Sequence, residues 1–200
     1  TYTITQIINN GRCYDTAISR VRVEYYFPIA SFTQDPDTGC APHTVNFTNT
    51  SQYATSYRWF FGDGGQSTLE NPSHTYIVPG TYTVTLIATG PGGIGDTTKE
   101  NVIVVRETPV AAFYSSPTTQ IAPNNNFEFI NTSIGGITWQ WSVFDSLNRE
   151  VWNSTQENPI AIIPYFGQFD ARLIAINQYG CRDTAFRNNY ISYGVGGYII

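Results

Sequence analysis

The stretch Tyr57–Val105, YRWFFGDGGQSTLENPSHTYIVPGTYTVTLIATGPGGIGDTTKENVIVV, decides the fold. Trp59 and Phe61 alternate with Arg58 and Phe60, and a period of two sends successive side chains to opposite faces of a strand. Gly62-Asp63-Gly64-Gly65 stops that run, because glycine reaches positive φ without a Cβ clash. Asn71-Pro72 marks a second turn, since proline fixes φ and has no amide to donate. After Pro79-Gly80 comes Tyr82-Thr83-Val84-Thr85-Leu86-Ile87-Ala88, β-branched and aromatic residues that suit a pleated, half-buried surface. Gly90-Pro91-Gly92-Gly93 then turns the chain, and Val102–Val105 returns. The reading is strand, tight turn, strand, and a hairpin of two longer strands.

The same phrases recur elsewhere in the chain, and fixed repeats outrank local signals in deciding architecture. Thr1-Tyr2-Thr3-Ile4-Thr5-Gln6-Ile7 is a near copy of Thr81–Ile87, and Gly11-Arg12-Cys13-Tyr14-Asp15-Thr16-Ala17 matches Gly180–Ala185. Pro28–Phe32 aligns with Pro109–Phe113, and Val45–Ser51 with Phe127–Ser133. Trp59 aligns with Trp141, and Asn71-Pro72 with Asn158-Pro159. These repeats divide the chain into the last two strands of one module (1–23), a complete module (24–105) and a diverged one (106–193). Residues 194–200 read as a joint leading into a further strand. The two full units have the length of a seven-stranded sandwich. A lone hairpin is marginal in water, so the other strands of 1–23 are expected from upstream in the chain or from a neighbouring molecule.

Composition narrows the function. Only 12% of residues are charged and 15% are aromatic, which suits an extracellular all-β protein better than a cytosolic enzyme. A net charge of −5 argues against nucleic acid as a partner, because phosphate binding needs a basic footprint. No apolar run approaches the roughly 20 residues of a membrane-spanning helix. The chain opens inside a strand pattern with neither an initiator methionine nor a signal peptide, so it is expected to be a segment of something longer.

Three motifs in order, Trp59-Phe60-Phe61-Gly62-Asp63-Gly64, Asn71-Pro72-Ser73-His74-Thr75-Tyr76 and Pro79-Gly80-Thr81-Tyr82-Thr83-Val84-Thr85-Leu86, resemble the PKD domain. That resemblance implies tandem immunoglobulin-like β-sandwiches, with Trp59, Phe61, Gly62, Asp63, Gly64, Asn71, Pro72, His74, Tyr76, Gly80 and Tyr82 as structural motif residues. Residues 106–193 depart from it. Ser142-Val143-Phe144-Asp145 stands where the glycine turn would be, and Pro164–Phe169 replaces the region from His-Thr-Tyr to Pro-Gly. Alternation within equivalent repeat positions puts Trp59, Tyr82, Val84 and Leu86 in one core, and Trp141, Leu173 and Ala175 in the next.

Catalysis needs convergent titratable groups, and few are on offer. There are two histidines. His74 lies inside a motif where the resemblance implies a structural turn residue, and His43 is expected at the surface near a strand start. No nucleophile elbow of the G-x-S-x-G kind is present. Neither enzyme activity nor a cofactor is expected. Asp35, Asp37 and Asp63 are candidate calcium ligands, but calcium takes six to eight oxygens and no dense acidic loop supplies them. The preferred reading of Asp63 is a carboxylate bonded to turn amides. Asn46, Asn49, Asn131 and Asn153 sit in N-x-[ST] sequons, which so much Asn and Thr produces by chance. Tyr57, Phe60, Trp139 and Trp152 include outward positions. A carbohydrate platform is the sharp reading of them, and ordinary alternation in a half-buried sheet the preferred one.

The resemblance implies an extracellular structural or adhesive protein of the bacterial cell surface, as in adhesins of gliding bacteria, where such modules act as stalks. Its partners would be neighbouring modules, like subunits, and polysaccharide or protein at the surface. One rival is an accessory module of a secreted hydrolase, and another is a filament subunit completed by strand addition. On an immunoglobulin-like frame, the turn after the first strand and the last hairpin lie at opposite ends of a sandwich. Cys40 of the middle module and Cys181 of the next are therefore expected to meet in a disulfide, leaving Cys13 for a cysteine of a still earlier module.

Overall fold

A computed structural model describes residues 2–9 and 11–195, and the structure is all-β: eighteen strands and no helix among the described residues. By their contacts the residues form two compact units. The first comprises Thr1–Thr38, His43–Tyr76 and Thr81–Val104, and the second Gly39–Pro42, Ile77–Gly80 and Val105–Ile200.

The chain opens with a hairpin, β1 (Tyr2–Asn9) antiparallel to β2 (Tyr14–Val21), in register from Tyr2 opposite Val21 to Asn9 opposite Tyr14. Every residue of both strands is exposed.

Eight strands then build an immunoglobulin-like sandwich: β3 (Phe32–Asp35), β4 (Thr38–Cys40), β5 (His43–Asn49), β6 (Ser56–Phe60), β7 (Gln66–Ser67), β8 (Ser73–Tyr76), β9 (Gly80–Gly90) and β10 (Gly93–Arg106). One sheet runs β3-β5-β8 and the other β4-β10-β9-β6-β7. The first strand serves both sheets. It pairs as β3 with β5, breaks at Pro36, where no amide is available for a ladder, and resumes as β4 beside β10. That break makes eight strands of the expected seven.

The second sandwich repeats this order strand for strand: β11 (Phe113–Ser116), β12 (Thr119–Ile121), β13 (Asn126–Asn131), β14 (Thr138–Phe144), β15 (Glu150–Ser154), β16 (Ile160–Ile162), β17 (Gly167–Ile176) and β18 (Arg182–Gly194). Its sheets are β11-β13-β16 and β12-β18-β17-β14-β15, with β12 parallel to β18. Of the expected joint at 194–200, Gly194 ends β18 and residues 196–200 lie outside the described residues.

Alternation fills the space between the sheets. Trp59, Val84 and Leu86 are fully buried in the first core, and Trp141, Leu173 and Ala175 in the second. Tyr82 faces the expected side but stays half-buried near the start of β9, its ring 4.5 Å from that of Tyr76. Each tryptophan is gripped alike. Phe32 stands edge-on to Trp59 at 5.2 Å, as Phe113 does to Trp141 at 5.2 Å. A buried indole N–H needs an acceptor. Trp59 Nε1 donates to the Leu69 carbonyl at 2.9 Å, and Trp141 Nε1 to that of Gln156 at 2.9 Å.

Candidate functional site

A polar arrangement in the first sandwich joins the turn after β6 to β8. Gly62 has φ 89°, and a Cβ there would lie 2.5 Å from the Thr83 carbonyl oxygen, so only glycine passes. Gly64, at φ 93°, completes the turn. Between them, Asp63 Oδ1 accepts the Gly65 amide at 2.9 Å and Asp63 Oδ2 meets His74 Nε2 at 2.7 Å. The His74 ring lies flat on Phe61, centroids 4.1 Å apart, and edge-on to Tyr76 at 4.7 Å. Tyr76 Oη, buried, donates to the Phe61 carbonyl at 3.0 Å. Asn71 Oδ1 accepts the Asn49 amide and the Pro72 carbonyl accepts that of Phe47, which ties the same loop to β5.

Protonation follows from these contacts. Partial burial raises the Asp63 carboxyl, but the His74 hydrogen bond, the Gly65 amide and the His74 charge outweigh it and leave Asp63 below its usual value. Burial first, then the charges of Asp63 and Tyr82, pushes the Tyr76 phenol well up. An aspartate held ionised between an amide and an imidazole stacked on an aromatic ring closes a turn. The hydrogen bonds found around this pair join it to no serine, threonine or cysteine nucleophile.

The second sandwich locks the equivalent turn by other means. Asp145 follows Trp141 by four residues, as Asp63 follows Trp59. Its Oδ1 accepts the Leu147 and Arg149 amides at 2.9 and 3.0 Å, and its Oδ2 accepts Arg149 Nε at 2.8 Å and Tyr165 Oη at 2.7 Å. The Arg149 side-chain bond first, then its amide, hold Asp145 far below the usual carboxylate range against the opposing pull of burial. The shared Trp-x-x-x-Asp spacing is the signal in the sequence for this turn, and the glycine motif obscures it.

Several expectations are corrected. His43, expected at the surface, is 7% exposed, because it shares the inward side of β5 with Val45 and Phe47. Its Nε2 lies 3.0 Å from the Pro36 carbonyl oxygen. Trp139 and Trp152 do not form an outward platform. Both pack against the second core, Trp152 stacking on Phe129 at 6.0 Å, because they share the inward side with Trp141 and Val143. Tyr57 is half-buried, and Phe60 carries the Arg58 guanidinium at 5.3 Å. Beside that pair Arg58, Gln66, Ser67, Thr68 and Leu69 line an open groove, with Arg58 donating to Gln66 Oε1 at 3.0 Å.

Among the described residues no group of three or more His, Cys, Asp or Glu is placed to hold a metal. Asp35 pairs with Asn46 across β3 and β5, and the Asp37 carbonyl accepts the Val104 amide. The Asn49 and Asn131 sequon side chains each accept an amide two residues on, from Ser51 and Ser133. One pair of residues escaped the sequence reading. Lys99 donates to the Phe32 carbonyl at 2.8 Å while lying over its ring, and Arg187 does the same at Phe113, donating at 2.9 Å.

Cys40 and Cys181 are joined by a disulfide, Cα atoms 5.7 Å apart. Cys13 takes no part in it. Polar bonds surround the bridge. The Cys181 amide donates to Asn177 Oδ1 at 3.0 Å, Asn177 Nδ2 to the Glu107 carbonyl at 2.6 Å, and Thr108 Oγ1 to that of Ala41 at 2.6 Å. Arg106 lies over the Tyr179 ring at 4.5 Å.

Collagenase ColA of Clostridium perfringens (strain 13 / Type A) is 28% identical over 150 residues, which are 70% of this chain and 12% of the collagenase. A solution structure from Methanosarcina mazei is 29% identical, covering 50% of this chain and 68% of its own at a TM-score of 0.35. Fibronectin(III)-like modules of Clostridium thermocellum CbhA are 12% identical, covering 82% of this chain and 95% of theirs at 0.37. Residues 27–105, which hold the first sandwich and its glycine turn, match the PKD domain family.

Proposed function

We propose that the chain is a non-catalytic, extracellular array of sandwich modules, 24–105 and 106–193, that spaces or displays binding surfaces at a bacterial cell surface. The observation that carries this reading is the internal repetition. One skeleton of strand order, aromatic grip on tryptophan and anchored turn is built twice, while polar side chains are spent on closing turns rather than on gathering a reactive site. A repeat that keeps its own core lets a chain lengthen without redesign. The disulfide suits an oxidising compartment. Partners of this reading are neighbouring modules, and polysaccharide or protein met outside the cell. Labelling intact source cells with a membrane-impermeant amine or carboxylate reagent tests it. Surface modification of this chain is the expected result, and modification only after lysis overturns the reading.

A second reading, an accessory module of a secreted protease, draws on the collagenase relative. It predicts that the purified chain co-sediments with insoluble collagen fibres, saturably and with no cleavage. A chain left wholly in the supernatant removes it.

A further inference from the structure

The five-stranded sheet of the second sandwich turns one side to its core and the other outward. On the outer side the cross-strand register sets Asn153, Ser142, Arg172 and Phe186 in one row across β15, β14, β17 and β18. The row beside it holds Glu150, Phe144 and Asp170. Arg172 lies over the Phe144 ring at 4.8 Å, and the Phe144 and Phe186 rings stand 6.4 Å apart, tilted by 46°. Phe186 is 46% exposed. Polar groups rim these rings. Arg172 Nη2 donates to Ser142 Oγ at 3.0 Å and lies 3.9 Å from Glu150 Oε2, while Asn153 Nδ2 donates to Glu150 Oε1 at 2.8 Å.

The sandwich itself does not require this cluster. Arg172 precedes Leu173 as Thr85 precedes Leu86, and each meets a residue of the last strand, Phe186 in one case and Thr98 in the other. Phe144 follows Trp141 by three residues, as Gly62 follows Trp59. The first sandwich thus builds the matching positions from Gly62, Thr85 and Thr98, with the two threonine hydroxyls 2.9 Å apart. An outward phenylalanine adds nothing to a core that closes equally well behind a threonine. Exposed aromatic surface beside convergent polar groups is the mark of a binding face.

We infer that this face of the second sandwich binds a neutral polysaccharide. A pyranose ring matches both parts of it. The sugar's C–H face lies on the electron-rich face of an aromatic ring, and its hydroxyls both donate and accept. Phe186, with Phe144 beside it, receives the C–H face. Glu150 accepts from hydroxyls, and Arg172 and Asn153 donate to them. Turning the guanidinium toward a hydroxyl breaks one hydrogen bond, that to Ser142, because Arg172 Nε meets no acceptor among the described residues. Charge selects the class of chain. One guanidinium shares the face with two carboxylates, Glu150 and Asp170, so an anionic polymer meets repulsion. The inference deepens, and rests on, the reading of the chain as an extracellular display of binding surfaces.

Affinity electrophoresis of the full chain tests it, in native gels cast with mixed-linkage β-glucan, arabinoxylan, galactomannan or polygalacturonate. At least one of the three neutral polymers should retard the chain, and polygalacturonate should not. Phe186→Thr, the residue type at the matching Thr98, should weaken the affinity read from that retardation about 10-fold. Arg172→Lys should weaken it as well, because an ammonium does not replace a stacked guanidinium. Tyr114→Ala removes an exposed ring from the outer face of the other sheet and should leave the affinity unchanged. Thermal melts show which variants are folded, and either folded variant of the face suffices. Absence of retardation by every neutral polymer overturns the inference, as does retardation that Phe186→Thr and Arg172→Lys leave intact. Retardation by polygalacturonate that Arg172→Lys removes would overturn it in favour of an anionic ligand. A concentration-dependent dimer that Phe186→Thr disperses would name a second copy as the occupant and overturn it too. Binding by the purified chain is read apart from its location, so failed labelling of intact cells and failed binding remain distinct results.

Discussion

Trp59 and Trp141 are the largest fully buried side chains of their cores, Trp59 meeting the Phe32, Phe47 and Phe61 rings at 5.2, 5.5 and 6.5 Å and Trp141 those of Phe113 and Phe129 at 5.2 and 5.3 Å. Trp59→Ala or Trp141→Ala should each cost about 3–5 kcal/mol, read from denaturant unfolding. An unchanged midpoint would remove that residue from the core. Asp63 makes a different kind of contribution. Asp63→Ala strips acceptors from Gly65 and His74 and should cost about 1–3 kcal/mol near neutral pH. The folded carboxyl sits below its unfolded value. Its stabilisation is therefore fully present above about pH 4 and is lost as pH falls through the depressed folded value. The melting difference between wild type and Asp63→Ala should accordingly narrow on acidification from pH 5 downward. A gap that widens would show the sign to be wrong.

At the scale of elements, the glycine turn separates two requirements that the sequence shows only as one motif. Gly62 and Gly64 share positive φ, but only Gly62 has a backbone oxygen where a Cβ would go, and nothing lies within 4 Å of one at Gly64. Gly62→Ala should lose about 1–3 kcal/mol or more, and Gly64→Asn distinctly less, because asparagine tolerates the left-handed region. Equal losses in thermal melts would mean that conformation alone, and not the Thr83 contact, excludes a side chain. The diverged turn of the second sandwich needs no such glycine. Asp145 gathers two amides, a guanidinium and a phenol instead, so one strand connection is reached by two chemistries.

For the whole molecule, the Cys40–Cys181 bridge closes a sequence separation of 141 residues. Non-reducing peptide mapping should recover those two cysteines in one linked pair, and free thiols at both positions would refute the assignment. Replacing both by serine should lower unfolding free energy by about 2–4 kcal/mol, mainly by releasing a constraint on the unfolded chain. The all-β class, the repeats and most of the core were legible in the sequence, since period-2 alternation and turn residues act locally and survive in a linear reading. Even the bridge could be placed, because positions on a repeated frame constrain one another. Other features needed three dimensions. His43 is buried because its strand's phase is set by Val45 and Phe47, while Trp139 turns inward opposite Ala175 of β17 and Trp152 opposite Val143 of the adjacent β14. Lys99 finds Phe32, and Arg187 finds Phe113, across 67 and 74 residues. A charged side chain reveals nothing of such a partner until the sheets close and desolvate it. Alternation names the face of a strand, and only the packed sandwich decides what that face meets.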